Sequence, residues 1–467
     1  MAKNNSNGRY NIKRAVVFLN AMFNVALYTS IFGFVWESVY NNDFFYVNGN
    51  IILYFIYAAI LFMFMEIYGG FRIGSQRITD SVTTQTLSLL FTDIIAYLQI
   101  CLVWRKILNP LPLLASFGVS FVICIFWSLY IHRSFARLFP PKRMIIVYGS
   151  HSAVSLVEKM SRRMDKYIIC SSISVTEGFE KITEQIKEYD AVIICDTPNQ
   201  IRNDILKFCF SNKILTYITP KISDIIIRGA EDLHAFDTPL LLCRNFGINL
   251  EQRIFKRATD IILSSLGIIV LSPVMLVCAI AVKCYDKGPV FYKQERLTLN
   301  GKVFKLIKFR SMIVNAESDG VARLASAGDK RIPPIGNFMR KTRLDEIPQL
   351  FNILKGDMSV IGPRPERPEI AKQYEEDMPE FGFRLNVKAG LTGFAQVMGK
   401  YNTTPYDKLK LDLMYIENFS LLLDIKILFL TVKTIFIPES TEGISEGATT
   451  ALDMSEHHKQ EKELLNK

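Results

Sequence analysis

Apolar residues are bunched rather than spread along this chain. Four long, nearly uncharged runs precede residue 140, at 15–39, 50–68, 86–104 and 110–131. A helix that crosses a bilayer needs about 20 apolar residues, so the pattern predicts four transmembrane helices. The third run carries Asp93, and a charge at that depth is expected to face the helix bundle rather than lipid. No small-residue cleavage pattern follows the first run, so a cleaved signal peptide is not expected. Basic residues in short loops set the orientation. Arg9, Lys13 and Arg14 precede the first run, Arg72 and Arg77 follow the second, and Arg133, Arg137, Lys142 and Arg143 follow the fourth. Arg105 and Lys106 dissent in a very short loop. The balance puts the N-terminus and everything after residue 133 in the cytoplasm.

From Arg143 the pattern shortens to β-rich runs alternating with polar helical stretches. MIIVYG (144–149), YIICSSISV (167–175), AVIICD (191–196) and ILTYITP (214–220) read as strands, with helices around 153–163 and 201–210. This alternation predicts a parallel, doubly wound, Rossmann-like sheet. The turn after the first strand reads GSHSAVSL, with one glycine where G-x-G-x-x-G holds three. Without the later glycines the backbone cannot approach a pyrophosphate as closely, so a spacer, dimerisation or regulatory module is expected.

A fifth charge-free run, 261–282, is interrupted by Ser272-Pro273 and flanked on both sides by cations: Arg253, Lys256 and Arg257 before, Lys283 and Lys287 after. Proline in a helix interior removes a hydrogen bond and clashes with the preceding turn. Two readings compete: a kinked transmembrane helix, or a re-entrant helix that breaks at Ser272-Pro273 and returns to the cytoplasmic side. A full span would place the rest of the chain outside the cell. Beyond it, 290–292 and 303–309 read as strands around a turn at Asn300-Gly301. Ile347, Leu350, Phe351 and Leu354 mark one face of a short helix ended by Gly356. Leu- and Ile-rich helices follow over 408–437, the last lying on the membrane or beneath the preceding domain. The polar tail from Glu439 is expected to be disordered.

Composition narrows the chemistry. The chain has 467 residues, 49% of them hydrophobic, and a formal net charge of +10. A basic membrane protein suits anionic lipid and phosphorylated substrates. No basic run interleaved with aromatics appears away from the membrane-proximal segments, so nucleic acid is not an expected partner. Eight scattered cysteines without CxxC or Cys/His spacing argue against structural zinc. Residues 251–437 hold no histidine, which leaves carboxylates, lysines, arginines and a metal for any reaction there.

The stretch RKTRLDEIPQLFNILKGDMSVIGPRPERPE (340–369) concentrates those groups. Asp345 reads as an N-cap, with Pro348 in the first turn where its missing donor costs nothing. Asp345-Glu346 is either a plain cap or a reactive pair at a helix N-terminus, whose dipole keeps a carboxylate ionised and draws in phosphate. Glu346, with Asp345, offers oxygen ligands of the kind Mg²⁺ prefers. Arg340, Lys341 and Arg343 add positive charge. Lys308 and Arg310, two apart on a strand, project from one face and either hold a diphosphate or form a solvated strand edge. Pro363, Arg364 and Pro365 form either a rigid loop or a pre-organised guanidinium for a phosphate.

These motifs together resemble a known family. RATDIILSSLGIIVLSP, GPVFYKQER, GKVFKLIKFRSM, TRLDEIPQLFNILKGDMSVIGPRPE, VKAGLTGFAQV and LDLMYIENFSLLLDIKIL occur in the order found in bacterial sugar transferases of the polyprenyl-phosphate glycosyl-1-phosphate transferase type. The preceding membrane bundle and Rossmann-like module are similar to its larger, hexose-transferring branch. The resemblance implies four parts: a four-helix transmembrane domain (1–140), a degenerate nucleotide-binding domain (141–245), an α/β catalytic domain with a re-entrant helix at 258–283 (246–437) and a disordered tail (438–467). It implies that Asp345 attacks the β-phosphate of a UDP-sugar, releasing UMP, and that undecaprenyl phosphate then takes the phosphosugar. Glu346 and Asp345 would hold Mg²⁺, and Pro363, Arg364 and Pro365 would receive the nucleotide. Lys308 and Arg310 match the family's basic strand motif and Asp412 its late acidic position. Arg340, Arg343 and Arg384 complete the expected substrate-binding set, and Ser272-Pro273 matches the membrane-helix break. The implied setting is the bacterial inner membrane, multi-pass, with the catalytic domain on the cytoplasmic face, and the implied partners are the lipid bilayer and a second copy in a homodimer. Asn315, Ala389 and Phe394 depart from residues common in relatives. Two other functions compete: a silent membrane scaffold for polysaccharide assembly, and an ordinary glycosyltransferase, which would release UDP.

Overall fold

The computed structural model describes residues 6–41, 47–74, 76–149, 152–161, 163–235, 237–243, 247–314, 331–399 and 403–435. Asn315 and the tail from Glu439 lie outside them. The chain divides into two compact units, Met1–Thr219 and Pro220–Lys467.

The first unit opens with four long helices: α1 (Ser6–Val35, continued by a π-helical turn over Trp36–Tyr40), α2 (Val47–Tyr68), α3 (Ile78–Trp104) and α4 (Leu111–Leu138). Their outer surface is apolar, and inside, polar side chains share the interior with an apolar core. Phe34, Phe55, Leu102 and Phe126 point outward, while Asn20, Asn24, Gln85, Thr92 and Asp93 are buried. Several interior polar groups find one another: Tyr57 donates to Asp93 Oδ1 at 2.8 Å, Trp36 Nε1 to Asn50 at 2.9 Å and Trp127 Nε1 to Asn20 at 2.9 Å. Asp93 thus faces the bundle, as a charge at membrane depth must.

A four-stranded parallel sheet follows, from β1 (Lys142–Tyr148), α5 (Ser152–Ser161), β2 (Tyr167–Ser174), α6 (Phe179–Ile186), β3 (Ala191–Cys195), α7 (Asn199–Ser211) and β4 (Leu215–Ile218), in the order β2-β1-β3-β4. Strand side chains alternate between two layers. Ile145, Val147, Val192 and Ile194 pack with Ile182, Ile186 and Ile205 on one face; Met144, Ile146, Ala191 and Ile193 pack with Ala153 on the other. Apolar residues on both faces of the central strands are what a sheet covered on two sides requires.

The second unit contains α8 (Ile222–Arg228), a hairpin of β5 (Glu231–Ala235) and β6 (Thr238–Leu242), the long α9 (Leu250–Asp286), an antiparallel hairpin of β7 (Phe291–Leu297) and β8 (Val303–Phe309), α10 (Pro334–Lys341), α11 (Gln349–Lys355), β9 (Ser359–Ile361), α12 (Pro368–Asp377), β10 (Gly390–Thr392), α13 (Phe394–Met398), α14 (Pro405–Glu417) and α15 (Leu421–Ile435). Its core joins Phe304 and Leu306 of β8 to Leu350, Ile353, Met358, Leu409, Leu413 and Ile427. Each such side chain contributes about 1.5–3 kcal/mol when fully buried.

Two expectations are corrected in the 345–355 segment. Leu344–Glu346 form a 3₁₀ turn, and the α-helix begins only at Gln349 with Pro348 as its N-cap, so Asp345 is not a cap. The physical reason is Pro348: lacking an N–H, it cannot bond to Leu344, whose carbonyl instead accepts from Ile347 at 3.3 Å. The buried face of α11 is also different. Gln349, Leu350, Asn352 and Ile353 turn inward, while Phe351 and Leu354 are 42% and 38% exposed. Asn352 wins the interior because its amide stitches α11 to the hairpin, donating to Lys305 O at 2.9 Å and accepting from Ile307 N at 3.0 Å.

Five helices among the described residues are long and apolar enough to cross a membrane, the four of the bundle and α9. Where a break is expected at Ser272-Pro273, α9 has helical secondary structure throughout, with Pro273 inside it. Ser272 Oγ donates back to Ile269 O at 2.8 Å. Both ends of α9 are fixed to its own unit. Near the start, Lys256 pairs with Asp424 at 2.6 Å and Asp260 accepts from Val360 N at 2.8 Å; at the end, Asp286 pairs with Arg310. Ile262, Ile269, Val270, Leu276 and Val277 on the other face are exposed.

Candidate active site

The sequence builds a tight reversal before the carboxylate pair. Arg343 adopts φ 58°, ψ 16°, a left-handed conformation uncommon for a bulky residue, and hands the chain from α10 to the 3₁₀ turn. The turn directs Asp345 and Glu346 inward; they are 8% and 9% exposed. Pro363-Arg364-Pro365 is pinned opposite by backbone bonds, Gly362 N to Thr392 O and Gly390 N to Pro363 O, both 2.9 Å. Glycine is required at both crossing points. A Cβ on Gly362 would meet Lys388 O at 2.3 Å, and one on Gly390 would meet Gly362 N at 2.1 Å.

Glu346 is the electrostatic centre. Its Oε1 lies 3.4 Å from Lys308 Nζ and 3.2 Å from Arg364 Nη2, and its Oε2 lies 3.5 Å from Arg343 Nη1. Burial alone would push its carboxyl up, but Arg364, Lys308 and Arg343 hold it well below the usual carboxylate range. Asp345 goes the other way. Burial first, then the Glu346 charge, push its carboxyl up to about 6, against the opposing pull of Lys308, Arg340 and Arg343. None of the described residues hydrogen-bonds the Asp345 carboxylate. Opposite shifts on adjacent carboxylates suit a division of roles, with Glu346 held by cations and Asp345 binding its proton more tightly.

Two clefts flank the proline-bracketed loop. One, of about 240 Å³, is lined by Lys308, Glu346, Arg364, Pro365, Arg296 and Gln349 among others. The other, of about 310 Å³, has Pro363, Arg364, Pro365 and Arg384 beside apolar Phe381 and Val387. Arg364 and Pro365 line both.

The remaining expected residues separate into two groups. Lys308, Arg340, Arg343 and Arg364 act directly on the pair. Arg310 does not join Lys308: its guanidinium bonds Asp286, Nη1 to Oδ2 at 2.6 Å, and its Nε donates to Pro289 O at 2.8 Å. The shared-face expectation fails because β8 ends at Phe309, and strand alternation no longer governs Arg310. Arg384 and Asp412 form a buried ion pair at 2.8 Å behind the loop, and Arg384 Nη2 also donates to Arg364 O at 3.0 Å. Asp412 is 1% exposed, and burial pushes its carboxyl up to about 6 against the pull of Arg384. Ser272 and Pro273 lie on α9, whose following turns place Met275, Cys278, Ala279 and Val282 in one cluster with Leu344, the neighbour of Asp345.

Among the described residues no group of three or more acidic, histidine or cysteine side chains could hold a metal ion. The pair supplies two oxygen-donor side chains, a set that suits Mg²⁺ when substrate phosphate oxygens and water complete the shell. Sequence reading passed over Arg296 and Gln349, both of which line the smaller cleft. Arg296 stood in the quoted GPVFYKQER motif, but only its strand partners reveal which way it faces.

With this geometry in hand, comparison with known proteins is informative. A profile of the family described as Bacterial sugar transferase matches residues 251–438. A protein of Klebsiella pneumoniae named UDP-glucose:undecaprenyl-phosphate glucose-1-phosphate transferase is 32% identical over 455 residues, covering 88% of this chain and 94% of its own length. The UDP-N-acetylgalactosamine-undecaprenyl-phosphate N-acetylgalactosaminephosphotransferase of Aeromonas hydrophila is 36% identical over 53% of this chain and 59% of its own. An Escherichia coli K12 protein with the same name as the Klebsiella one is 41% identical over 44% of each chain.

Proposed function

This chain belongs to the bacterial sugar transferase family, and from that premise we propose that it transfers a sugar-1-phosphate from a UDP-sugar to undecaprenyl phosphate, releasing UMP. The observation that carries this reading is the split carboxylate pair: Glu346 held by three cations beside a buried Asp345 whose oxygens accept no hydrogen bond from the described residues. In the proposal an Asp345 oxygen attacks the β-phosphorus of the donor. The bond to the bridging oxygen breaks, UMP leaves with that electron pair, and an aspartyl-phosphosugar remains. A phosphate oxygen of the lipid then attacks the same phosphorus and frees Asp345. Lys308, Arg343 and Arg364 offset the charge gathered on the phosphates. Mg²⁺, where bound by Asp345, Glu346 and phosphate oxygens, would neutralise further charge. Arg384 and Asp412 serve by holding the Pro363-Arg364-Pro365 loop.

Membrane topology is part of the proposal: four spans, a Rossmann-like module, and α9 re-entrant with Ser272-Pro273 as its bend. The engagement of both ends of α9 by one folded unit supports this, because a straight span would carry them to opposite sides. Such a course brings the acceptor phosphate to the cytoplasmic membrane face, beside Leu344 and Asp345. A homodimer completes the reading; a single-chain mass in lipid nanodiscs would count against it.

The relatives' names differ in sugar, so the donor must be found by assay. Purified protein with Mg²⁺, undecaprenyl phosphate and a panel of UDP-sugars should release UMP from one or few donors. Asp345→Asn should abolish release. UDP in place of UMP would sink the phosphosugar mechanism, and neither nucleotide from any donor would favour a scaffold.

A further inference from the structure

Arg296 is a half-buried cation that the proposed reaction has not used. In the β7/β8 hairpin it pairs with Phe304, while Lys308 pairs with Tyr292. Paired residues of an antiparallel ladder share a face, and so do residues two apart on one strand. Arg296, Leu306 and Lys308 therefore lie on the same face of the hairpin, and all three line the smaller cleft.

Two of its nitrogens are committed: Nη1 donates to Pro365 O at 3.1 Å and Nη2 to Gln294 Oε1 at 2.6 Å. The third, Nε, is buried and has no partner among the described residues. A buried donor left unsatisfied costs about 1–3 kcal/mol, and more when charged. The side chain is also short of counter-charge. Burial, and then the nearby cation of Arg364, lower its guanidinium to about 10 despite the opposing pull of Glu366. Among the lining residues the cations Arg296, Lys308 and Arg364 face one carboxylate, Glu346, which Lys308 and Arg364 already contact. A half-buried arginine held by neutral acceptors, with a buried Nε short of one hydrogen bond, is matched by an anion with several oxygens.

From this we infer that Arg296 is a direct ligand of a phosphate group of the nucleotide donor, on the side nearest Pro365, and retains that phosphate in the leaving nucleotide. The inference rests on the proposed UDP-sugar reading. The bond from Nη1 to Pro365 O places Arg296 against the loop assigned to the nucleotide, whereas Asp345 does not line this cleft. Arg296 thus contacts the departing half of the substrate rather than the half transferred to Asp345.

Binding to the full-length protein in lipid nanodiscs tests this without turnover, using UMP, uridine and inorganic pyrophosphate as probes. A charge-assisted hydrogen bond is worth about 1.5–3 kcal/mol, so Arg296→Gln should weaken UMP on the order of 10- to 100-fold. Uridine, which has no phosphate, should bind both proteins alike, and Arg296→Lys should keep part of the UMP affinity. Lysine also covers the case in which the glutamine variant does not fold. Unchanged UMP affinity would overturn the inference, and so would equal losses of UMP and uridine, the mark of a collapsed loop. Arg296-dependent binding of pyrophosphate with no binding of UMP would keep the phosphate ligand and sink the uridine-donor reading instead. No phosphoanion binding by the unaltered protein would overturn the ligand itself.

Discussion

At the scale of single residues the site turns on an ionisation difference between neighbours. If Asp345 is the nucleophile, it must be ionised, so the rate should fall as pH drops through about 6. Glu346 is one of the causes that raise Asp345. Glu346→Gln should therefore move this acid limb to lower pH while reducing the maximal rate, and a pH–rate profile of the two proteins reads both effects. An acid limb that stayed in place would break the coupling. Linkage fixes the sign for stability. The folded carboxyl holds its proton up to about 6 and the unfolded one only to about 3.8, so stability is lost as pH rises through that window. Asp345→Asn should accordingly be more stable than the parent at pH 7.5, by about 1–3 kcal/mol, with the gain gone at pH 4. The pair itself was legible in the sequence because two adjacent carboxylates amid arginines are conspicuous. Its asymmetry was not, since that comes from Lys308 and Arg364, which only the fold brings to Glu346.

Elements were legible where periodicity was clean and were misread where a side chain overrode it. The four bundle helices and the alternating strands follow directly from long apolar runs and short β-rich ones. The helix after Asp345 was placed too early because Pro348 looks like a first-turn proline, yet it is the N-cap that follows a 3₁₀ turn closed by Ile347. Its inner face was misassigned because the amide of Asn352, a polar residue, finds backbone partners on β8. The exposed Phe351 and Leu354 then make sense as apolar positions of a unit that also carries the exposed face of α9. α9 is anchored by Lys256, which bonds Asp424 at 2.6 Å and Tyr415 at 3.0 Å. Removing one partner of a buried pair leaves the other uncompensated, so Asp424→Ala should cost about 3–5 kcal/mol in an unfolding experiment. The course of α9 has its own test. Cysteines at Glu251 and Lys287, with Cys170, Cys243 and Cys284 changed to serine, should both react with an impermeant maleimide from the same side of a sealed vesicle. Labelling from opposite sides would make α9 a span.

For the whole molecule, division of labour follows from where the contacts fall. Among the described residues, those that charge, pin or line the site, from Arg296 through Asp412, belong to the unit that begins at Pro220. That unit has its own core, running from Ile225 through Leu306 and Ile353 to Ile427. It also carries α9, its own means of meeting a bilayer. The unit before it holds a helix bundle and a parallel sheet with cores of their own. Chemistry is thus expected to survive removal of the first 219 residues. A 220–467 fragment in nanodiscs should unfold cooperatively and release UMP with the same dependence on Asp345 as the full chain. A fragment that unfolds cooperatively but releases no nucleotide would place an essential contribution in the first unit. Full activity would leave that unit the tasks of location, assembly or control.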